Sequence, residues 1–283
     1  MYKPSEPVEP PKPVEPPSDW KYLGLWRKIK SILENLPNYF KSTLNITTAM
    51  NVTEIYVFGQ ALSYTIEEEV VHALNNTKSV WDPSGEYCEY RFLRQPQSFP
   101  DVLLLNPKIG KNSIIMGIEL KSWYLLAKEG EPSFRFKVTP NACAPQDLLV
   151  IVPWVLSNVV TGTPIILKPF VIAARYAAEY RNYWWKHMRK AKGDVEIRHP
   201  KEVTYYPSSR EQIDDEPIYY PGNNFGRLAR TGMKEMDEWI TMCKSEKILG
   251  IEIEKWIEFF RAGEIKFKEI CEKQPTKQSK LFD

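Results

Sequence analysis

Two apolar segments near the middle of the chain carry charges that buried strands normally avoid, and this combination constrains the fold more than any other feature. The first reads DVLLLN from Asp101, and the second reads SIIMGIELKSWYLL over 113–126. Because side chains alternate along a β-strand, Glu119 and Lys121 share one face of the second segment. Charges placed inside apolar strands cost desolvation free energy and add little stability, so they indicate a functional site.

The gap between the two segments, PKIGKNS, predicts that they form an antiparallel hairpin. Gly110 and Asn112 in this gap are typical turn residues. The hairpin would bring Asp101 close to Glu119 and Lys121. Converging carboxylates repel each other unless a cation joins them, and hard oxygen ligands favour Mg²⁺. The sequence therefore predicts a magnesium site at Asp101 and Glu119, where Lys121 orients a water and stabilises a phosphoryl charge.

The segments around this hairpin predict an α/β protein. Helical periodicity is present over 20–36, 58–77 and 173–193, and again over 230–247 and 252–270. Strands are predicted for four further runs, which are EYRFLR, SFRFKVT, DLLVIVPWVL and PIILKPFVIAARY.

Composition sets the domain boundaries. The unit Pro-Val-Glu-Pro-Pro occurs twice near the N-terminus, and proline can join neither a helix interior nor a central strand. The predicted units are a disordered proline-rich leader over 1–18, one folded domain over 19–271 with a loop or small recognition region near 194–230, and a flexible tail over 272–283.

Charge and cysteine content exclude several classes of protein. The chain has 38 basic and 36 acidic residues, so nucleic-acid binding would need local basic patches. Its four cysteines form no CxxC pair, which favours reduced thiols in a cytoplasmic protein. The most apolar run, 148–160, is too short to span a membrane. No GxxxxGK[ST] loop is present, so no nucleotide cofactor is expected.

Pro100-Asp101, followed after seventeen residues by Glu119-Leu120-Lys121, resembles the PD-(D/E)xK motif of the restriction-endonuclease-like nucleases. The resemblance implies that Asp101, Glu119 and the carbonyl of Leu120 bind Mg²⁺. It also implies that Lys121 supports the nucleophilic water.

In that family an upstream helix often supplies one more acid. The candidates here are Glu67, Glu68 and Glu69, which lie in a predicted helix whose apolar stripe includes Ile66 and Val70. At 100° per residue Glu67 falls nearest this stripe, Glu69 lies at its border and Glu68 faces away. We therefore expect Glu67 to complete the site, with Glu69 as the second choice.

The order of predicted elements also resembles the αβββαβ core of this family. The runs ELKSWYLLAKEGEPSFRF, PWVLSNV and YRNYWWKHM are similar to type II restriction endonucleases in particular. The resemblance covers 55–190 and, less closely, 194–265. It implies a restriction-endonuclease-like core, with a mixed central β-sheet flanked by helices. The implied activity is Mg²⁺-dependent, sequence-specific hydrolysis of double-stranded DNA by a homodimer, as in restriction-modification.

Two segments are candidates for contact with DNA. Four basic residues interleave with aromatic residues in the helix over 173–193 and are expected to contact phosphates: Arg181, Lys186, Arg189 and Lys190. Four residues of the 194–230 region have the chemistry to read bases: Asn223, Asn224, Arg227 and Arg230. The alternatives are an amphipathic helix with solvated charges and an ordinary polar surface loop.

Three other interpretations stay open. Glu119 and Lys121 would also suit a plain ion pair at a sheet edge, with Asp101 capping a turn. The same core would equally serve a structure-specific DNA repair or recombination nuclease. A non-catalytic DNA-binding protein that retains the fold is the third.

Overall fold

The computed structural model describes residues 8–48, 52–95, 97–190 and 194–273. Its helices are α1 (Leu23–Glu34), α2 (Val52–Asn76), α3 (Lys78–Trp81), α4 (Ala174–Tyr183), α5 (Lys234–Ser245) and α6 (Ile253–Lys273), and a π-helix (Trp184–Met188) continues α4. Its strands are β1 (Arg91–Arg94), β2 (Val102–Leu105), β3 (Met116–Tyr124), β4 (Leu148–Leu156), β5 (Pro164–Ile166), β6 (Phe170–Ala173), β7 (Ile197–Arg198), β8 (Glu216–Pro217), β9 (Lys247–Ile248) and β10 (Ile251–Glu252).

A mixed sheet of six strands forms the centre of the molecule. The strand order is β1-β2-β3-β4-β5, and β6 pairs with β4 as well. Strands β3 and β4 are parallel, whereas the other pairs in this sheet are antiparallel. Strands β5 and β6 pair with opposite halves of β4. The predicted mixed central sheet flanked by helices is therefore confirmed.

The core forms where apolar faces meet this sheet. Every residue of β4 is buried, as its uninterrupted apolar sequence indicates. Helix α2 packs against β1 and β3, and its stripe of Ile66, Val70 and Leu74 is fully buried. Helix α1 buries Trp26 and Ile29 in the same core. The helical period of both sequences thus places one apolar side on the sheet.

The predicted hairpin between β2 and β3 is present. Val102 lies opposite Ile118 and Leu104 opposite Met116, and a 3-10 turn over Gly110–Ser113 lies between the strands. Gly117 allows unusually close packing here. A Cβ at this position would lie 2.2 Å from Cγ of Pro100, so a glycine is required at this close approach.

Several element boundaries differ from the sequence prediction. Helix α2 begins at Val52, before the predicted start at 58. The apolar run over 164–176 divides into β5, β6 and the start of α4. Pro169 lies in the break between the two strands, where its missing N–H does no harm. The predicted end of the α4 region at Gly193 lies outside the described residues.

The predicted strand at SFRFKVT, 133–139, does not form, and only Val138 pairs there, in an isolated antiparallel bridge with Asp214. The amide of Phe136 donates to the carbonyl of Gly226 at 2.9 Å, and that of Thr139 donates to Ile213 at 2.7 Å. The guanidinium of Arg181 donates to the carbonyls of Phe136 and Val138. In a strand these backbone groups would bond to one neighbouring strand. Here the amides bond to the 194–230 region, and two of the carbonyls accept from the side chain of Arg181.

The 194–230 region is mostly irregular, as predicted, with β7 and β8 forming a short antiparallel pair. Residues 8–18 form neither helix nor strand, and Glu15 pairs with Arg27 on α1 at 3.1 Å. The leader residues 1–7 and the tail residues 274–283 lie outside the described residues, so those two predictions stay untested. Among the helices that the structure describes, none is both long and apolar enough to cross a membrane.

Replacing Gly117 by alanine should destabilise the protein by about 1–3 kcal/mol, because the new methyl group has no room beside Pro100. The measurement is the free energy of unfolding from urea denaturation. Gly24→Ala is the matched control, since nothing lies within 4 Å of a Cβ there and the site is in α1. That change should be neutral or stabilising by up to about 1 kcal/mol. Equal effects of the two variants would contradict the packing argument.

Candidate active site

The hairpin register brings Asp101 to the edge of β3. Asp101 directly precedes β2, and its Oδ2 accepts a hydrogen bond of 3.0 Å from the backbone amide of Leu120. The same oxygen lies 3.0 Å from Nζ of Lys121. The N–H and C=O of one residue point to the same side of a strand. The carbonyl of Leu120 therefore faces the edge where Asp101 lies.

Glu119 and Lys121 lie on one face of β3, as alternation predicts. Oε1 of Glu119 lies 2.8 Å from Nζ of Lys121, so one ammonium joins the carboxylates of Glu119 and Asp101. The side chain of Glu119 is buried, whereas those of Asp101 and Lys121 remain about a quarter exposed to solvent. Solvent and a small ligand can therefore reach the shared edge.

Helix α2 supplies the third carboxylate, that of Glu67. Burial and the nearby charge of Asp101 raise the pKa of Glu67, partly offset by Lys121 and Arg94. Glu69, in contrast, accepts hydrogen bonds from the hydroxyl of Ser42 and the amide of Thr43. Of the two helix acids proposed from the sequence, Glu67 is the one that lies at the site.

Arg94 forms an ion pair with Glu67. Its Nη2 lies 3.1 Å from Oε2 of Glu67, and its Nη1 donates to the carbonyl of Tyr64 at 3.2 Å. The guanidinium also lies 4.3 Å from the centre of the Tyr64 ring. Arg94 ends β1 opposite Val102, next to Asp101. In the sequence, Arg94 is recognisable only as a basic residue at the end of a predicted strand. Arg91 in the same strand is basic as well, so the sequence does not distinguish the two.

The electrostatics of the cluster follow from burial. Desolvation raises the pKa of Glu119 to about 7, against the lowering effect of Lys121. For Lys121 burial acts to lower the pKa, but the carboxylates of Glu119 and Asp101 outweigh it, so its pKa is raised. Lys121 is therefore an ammonium at neutral pH, which donates hydrogen bonds and cannot act as a base.

An open cleft of about 440 Å³ adjoins the cluster. Glu67, Lys121 and Ser122 form one part of its lining, and Glu129 and Ser133 form another. The hydroxyl of Ser122 is buried and has no hydrogen-bond partner among the described residues. The carboxylate of Glu67 and the ammonium of Lys121 thus face a space that can admit a polar ligand.

The donor set fits a hard divalent cation. Asp101, Glu119 and the carbonyl of Leu120 offer oxygen atoms. When Asp101, Glu119 and Glu67 are all ionised, their negative charge exceeds the positive charge of Lys121 and Arg94 by one. The described residues contain no ready-made group of three or more His, Cys, Asp or Glu side chains for a metal. A cation here would bind to two carboxylates and the backbone carbonyl, and Lys121 would have to give way.

Asp147 is a buried carboxylate that is not among the residues predicted from the sequence. Its Oδ1 accepts hydrogen bonds from the amide of Gly117 at 2.7 Å and the hydroxyl of Tyr206 at 3.1 Å, and Oδ2 accepts from the amide of Ala144. Burial raises the pKa of Asp147 to about 6. It braces β3 against the start of β4. Asp147 directly precedes an apolar run in the sequence, as Asp101 does, and this shared position could have identified it.

Arg181 is not at the surface, which corrects its predicted contact with phosphate. Its side chain is 1% exposed and pairs at 2.6 Å with Asp215, which is fully buried. Asn182 also donates to Asp215, and Nδ1 of His199 lies 2.7 Å from the other oxygen of Asp215. This network joins α4 to the 194–230 region.

The other predicted DNA contacts lie in two groups. Lys186 and Lys190 are exposed on and after the π-helix. Arg189 stacks 3.5 Å from the centre of the Trp185 ring and pairs with Asp194. Four residues of the loop that precedes α5 remain accessible, with Asn223, Asn224 and Arg230 exposed and Arg227 half-buried. The structure does not bring either group into the carboxylate cluster.

Comparisons with known proteins give no relative for this chain. No family model, no curated protein and no solved structure matches it. The arrangement of its own residues is therefore the basis for any functional conclusion.

Arg181→Ala should destabilise the protein by about 3–5 kcal/mol, because it leaves the carboxylate of Asp215 buried without its main partner. Chemical denaturation measures this, with Lys186→Ala as the control on the adjoining π-helix. The control should change the free energy of unfolding by less than about 0.5 kcal/mol. If Arg181→Ala were as stable as the control, the buried network would not be holding α4 to the 194–230 region.

Proposed function

We propose that the chain is a Mg²⁺-dependent nuclease that hydrolyses phosphodiester bonds of double-stranded DNA, of the type II restriction endonuclease kind with a restriction-endonuclease-like core. The observation that carries the proposal is the convergence of Asp101, Glu119 and Lys121 at one sheet edge, within 3.0 Å of a shared ammonium. The order Pro-Asp and Glu-x-Lys on adjacent antiparallel strands supports it. So does the third carboxylate, which α2 contributes at Glu67.

In this proposal each residue has a distinct task. Asp101, Glu119 and the carbonyl of Leu120 hold the cation, which when bound supplies Lewis-acid activation of a water and of the phosphate. Lys121, as a permanent ammonium, would orient that water and stabilise negative charge on the oxygens of the phosphoryl group. Glu67 completes the acidic rim and is held in place by Arg94.

An ion pair with a purely structural role is the competing explanation. Such a pair would be fully satisfied, as Arg181 and Asp215 are. The cluster at Lys121 instead has an excess of negative charge, a carboxyl with its pKa raised to about 7 and a cleft beside it. Perturbed titratable groups that line a cleft are typical of active sites.

The wider proposal concerns assembly and setting. A palindromic target would be cut by a two-fold homodimer, with each site hydrolysing one strand. The proposed setting is restriction-modification in the cytoplasm. Both steps depend on the resemblance of the motif and its flanking segments to type II restriction endonucleases.

Asp101→Ala and Lys121→Ala should each reduce Mg²⁺-dependent cleavage by about 100-fold or more, because each removes a group that stabilises the transition state. The assay is digestion of a long plasmid, which wild type should convert to discrete bands. DNA binding, measured by gel shift, should survive in both variants. Glu68→Gln is the control, because Glu68 is exposed one residue from Glu67.

Two outcomes would count against the proposal. Full activity in either variant would remove the cluster from the chemistry. Cutting that ignores sequence and requires branched or damaged DNA would instead identify a repair or recombination nuclease.

The affinity for Mg²⁺ should increase with pH between about 6 and 8. The pKa of Glu119 is raised to about 7. At pH 6 a cation must therefore displace a proton from this carboxyl group, whereas at pH 8 the group is already deprotonated. For one displaced proton the apparent affinity should change by about tenfold over this range. Calorimetry on the DNA-free protein measures it.

Glu119→Gln should bind Mg²⁺ more weakly and lose this pH dependence, while Glu68→Gln should retain it. A wild-type affinity that is the same at pH 6 and pH 8 would show that Glu119 does not bind the cation as a carboxylate.

A further inference from the structure

The loop that precedes α5 is fixed to the wall of the active-site cleft. Arg135 donates from Nε to the carbonyl of Asn223 at 2.6 Å, and the amide of Phe136 donates to Gly226 at 2.9 Å. Gly226 has a φ of +88°, and a Cβ there would lie 3.2 Å from the carbonyl oxygen of Phe136. The segment that receives the loop continues directly from Glu129 and Ser133, which line the cleft.

Arg230 is held in one orientation on this loop. Its Nε donates to Oε1 of Glu131 at 2.5 Å, and its Nη1 donates to Oδ1 of Asn224 at 3.2 Å. Asn224 in turn donates from Nδ2 to the hydroxyl of Tyr220 at 3.1 Å. The Arg230 side chain remains 40% exposed, and among the described residues Nη2 makes no hydrogen bond. The free end of the guanidinium therefore faces solvent in a fixed plane.

The charge of this unit indicates what it would contact. Glu131 neutralises Arg230 and would repel a phosphate brought to the same place, whereas the edge of a base is uncharged. The bonds to Glu131 and Asn224 use two of the five N–H groups of the guanidinium, which leaves one on Nη1 and both on Nη2. A parallel pair of N–H groups from these two nitrogens would match the O6 and N7 acceptors of guanine in the major groove. Asn224 accepts from Arg230 through its amide oxygen and donates to Tyr220 through its amide nitrogen, so its role in this unit is to position Arg230.

We propose that Arg230 reads a guanine in the DNA target, and that Glu131 and Asn224 are positioning residues for it. The proposal takes double-stranded DNA as the partner from the proposed function, but it requires only binding and not cleavage. Because the guanidinium is ordered before DNA arrives, less conformational entropy is lost when it meets a base. An isolated surface ion pair contributes little to stability. Arg230 instead belongs to a chain of contacts with Glu131, Asn224 and Tyr220, which a simple ion pair would not require.

The test is a binding selection from a random duplex library in EDTA, where no cleavage occurs, followed by sequencing of the bound DNA. Wild type should enrich a motif with a fixed guanine, and Arg230→Ala should keep the rest of the motif but lose about 10- to 100-fold preference for that guanine. Arg230→Lys keeps the charge but not the fork, so it should lose the preference while non-specific affinity is retained. Glu131→Gln should weaken the preference to a smaller extent.

Arg27→Ala is the matched control, because Arg27 lies on α1 and forms an exposed ion pair with Glu15. Thermal melting of each variant separates a loss of folding from a loss of guanine recognition.

Replacing the selected guanine by 7-deazaguanine, which lacks N7, should weaken binding by wild type but not by Arg230→Ala. The proposal is overturned if wild type enriches no sequence or if Arg230→Lys keeps every guanine. Specific binding without Mg²⁺-dependent cutting would uphold it while rejecting the nuclease function.

Discussion

The antiparallel register of β2 and β3 is the constraint on which the candidate site depends. Val102 lies opposite Ile118, so Asp101 reaches the edge of β3 beside Leu120 and Lys121. A slip of one residue would turn Glu119 and Lys121 to the other face of the sheet and separate them from Asp101. The same register places Gly117 beside Pro100, whose Cγ leaves no space for a side chain at this position. Close packing and the charged cluster are therefore set together.

Two polar networks in this protein contain buried charges, and they differ in how completely those charges are paired. The pair of Arg181 and Asp215 has a hydrogen-bond partner for each carboxylate oxygen, and it fixes irregular chain to the core. The cluster around Lys121 is less complete, because its carboxylates outnumber its cations and burial raises the pKa of Glu119 to about 7. Such a cluster costs stability in the free protein. That cost is typical of groups arranged for binding and chemistry.

The sequence predicted where most residues of the carboxylate cluster lie, because its signals are local. Alternation along β3 is enough to place Glu119 and Lys121 on one face, and a turn-rich gap is enough to bring Asp101 back to them. The angular position of Glu67 on α2 follows from helical periodicity. Arg94 was missed because its role depends on contact with Glu67 across 27 positions of sequence. Local pattern carries no information about such a partner.

What the sequence alone determined is the set of apolar strands, the amphipathic helices and the charged residues placed on them, because these depend on periods of two and 3.6 residues. Tertiary structure decided the rest. The guanidinium of Arg181 could equally have been solvated in an isolated helix, and 133–139 has the alternation of a strand. Both were decided by the packing of 213–226 against 133–139, because buried backbone carbonyls need donors. The carbonyls of Phe136 and Val138 accept from that guanidinium, and the carbonyl of Lys137 accepts from the amide of Asp215.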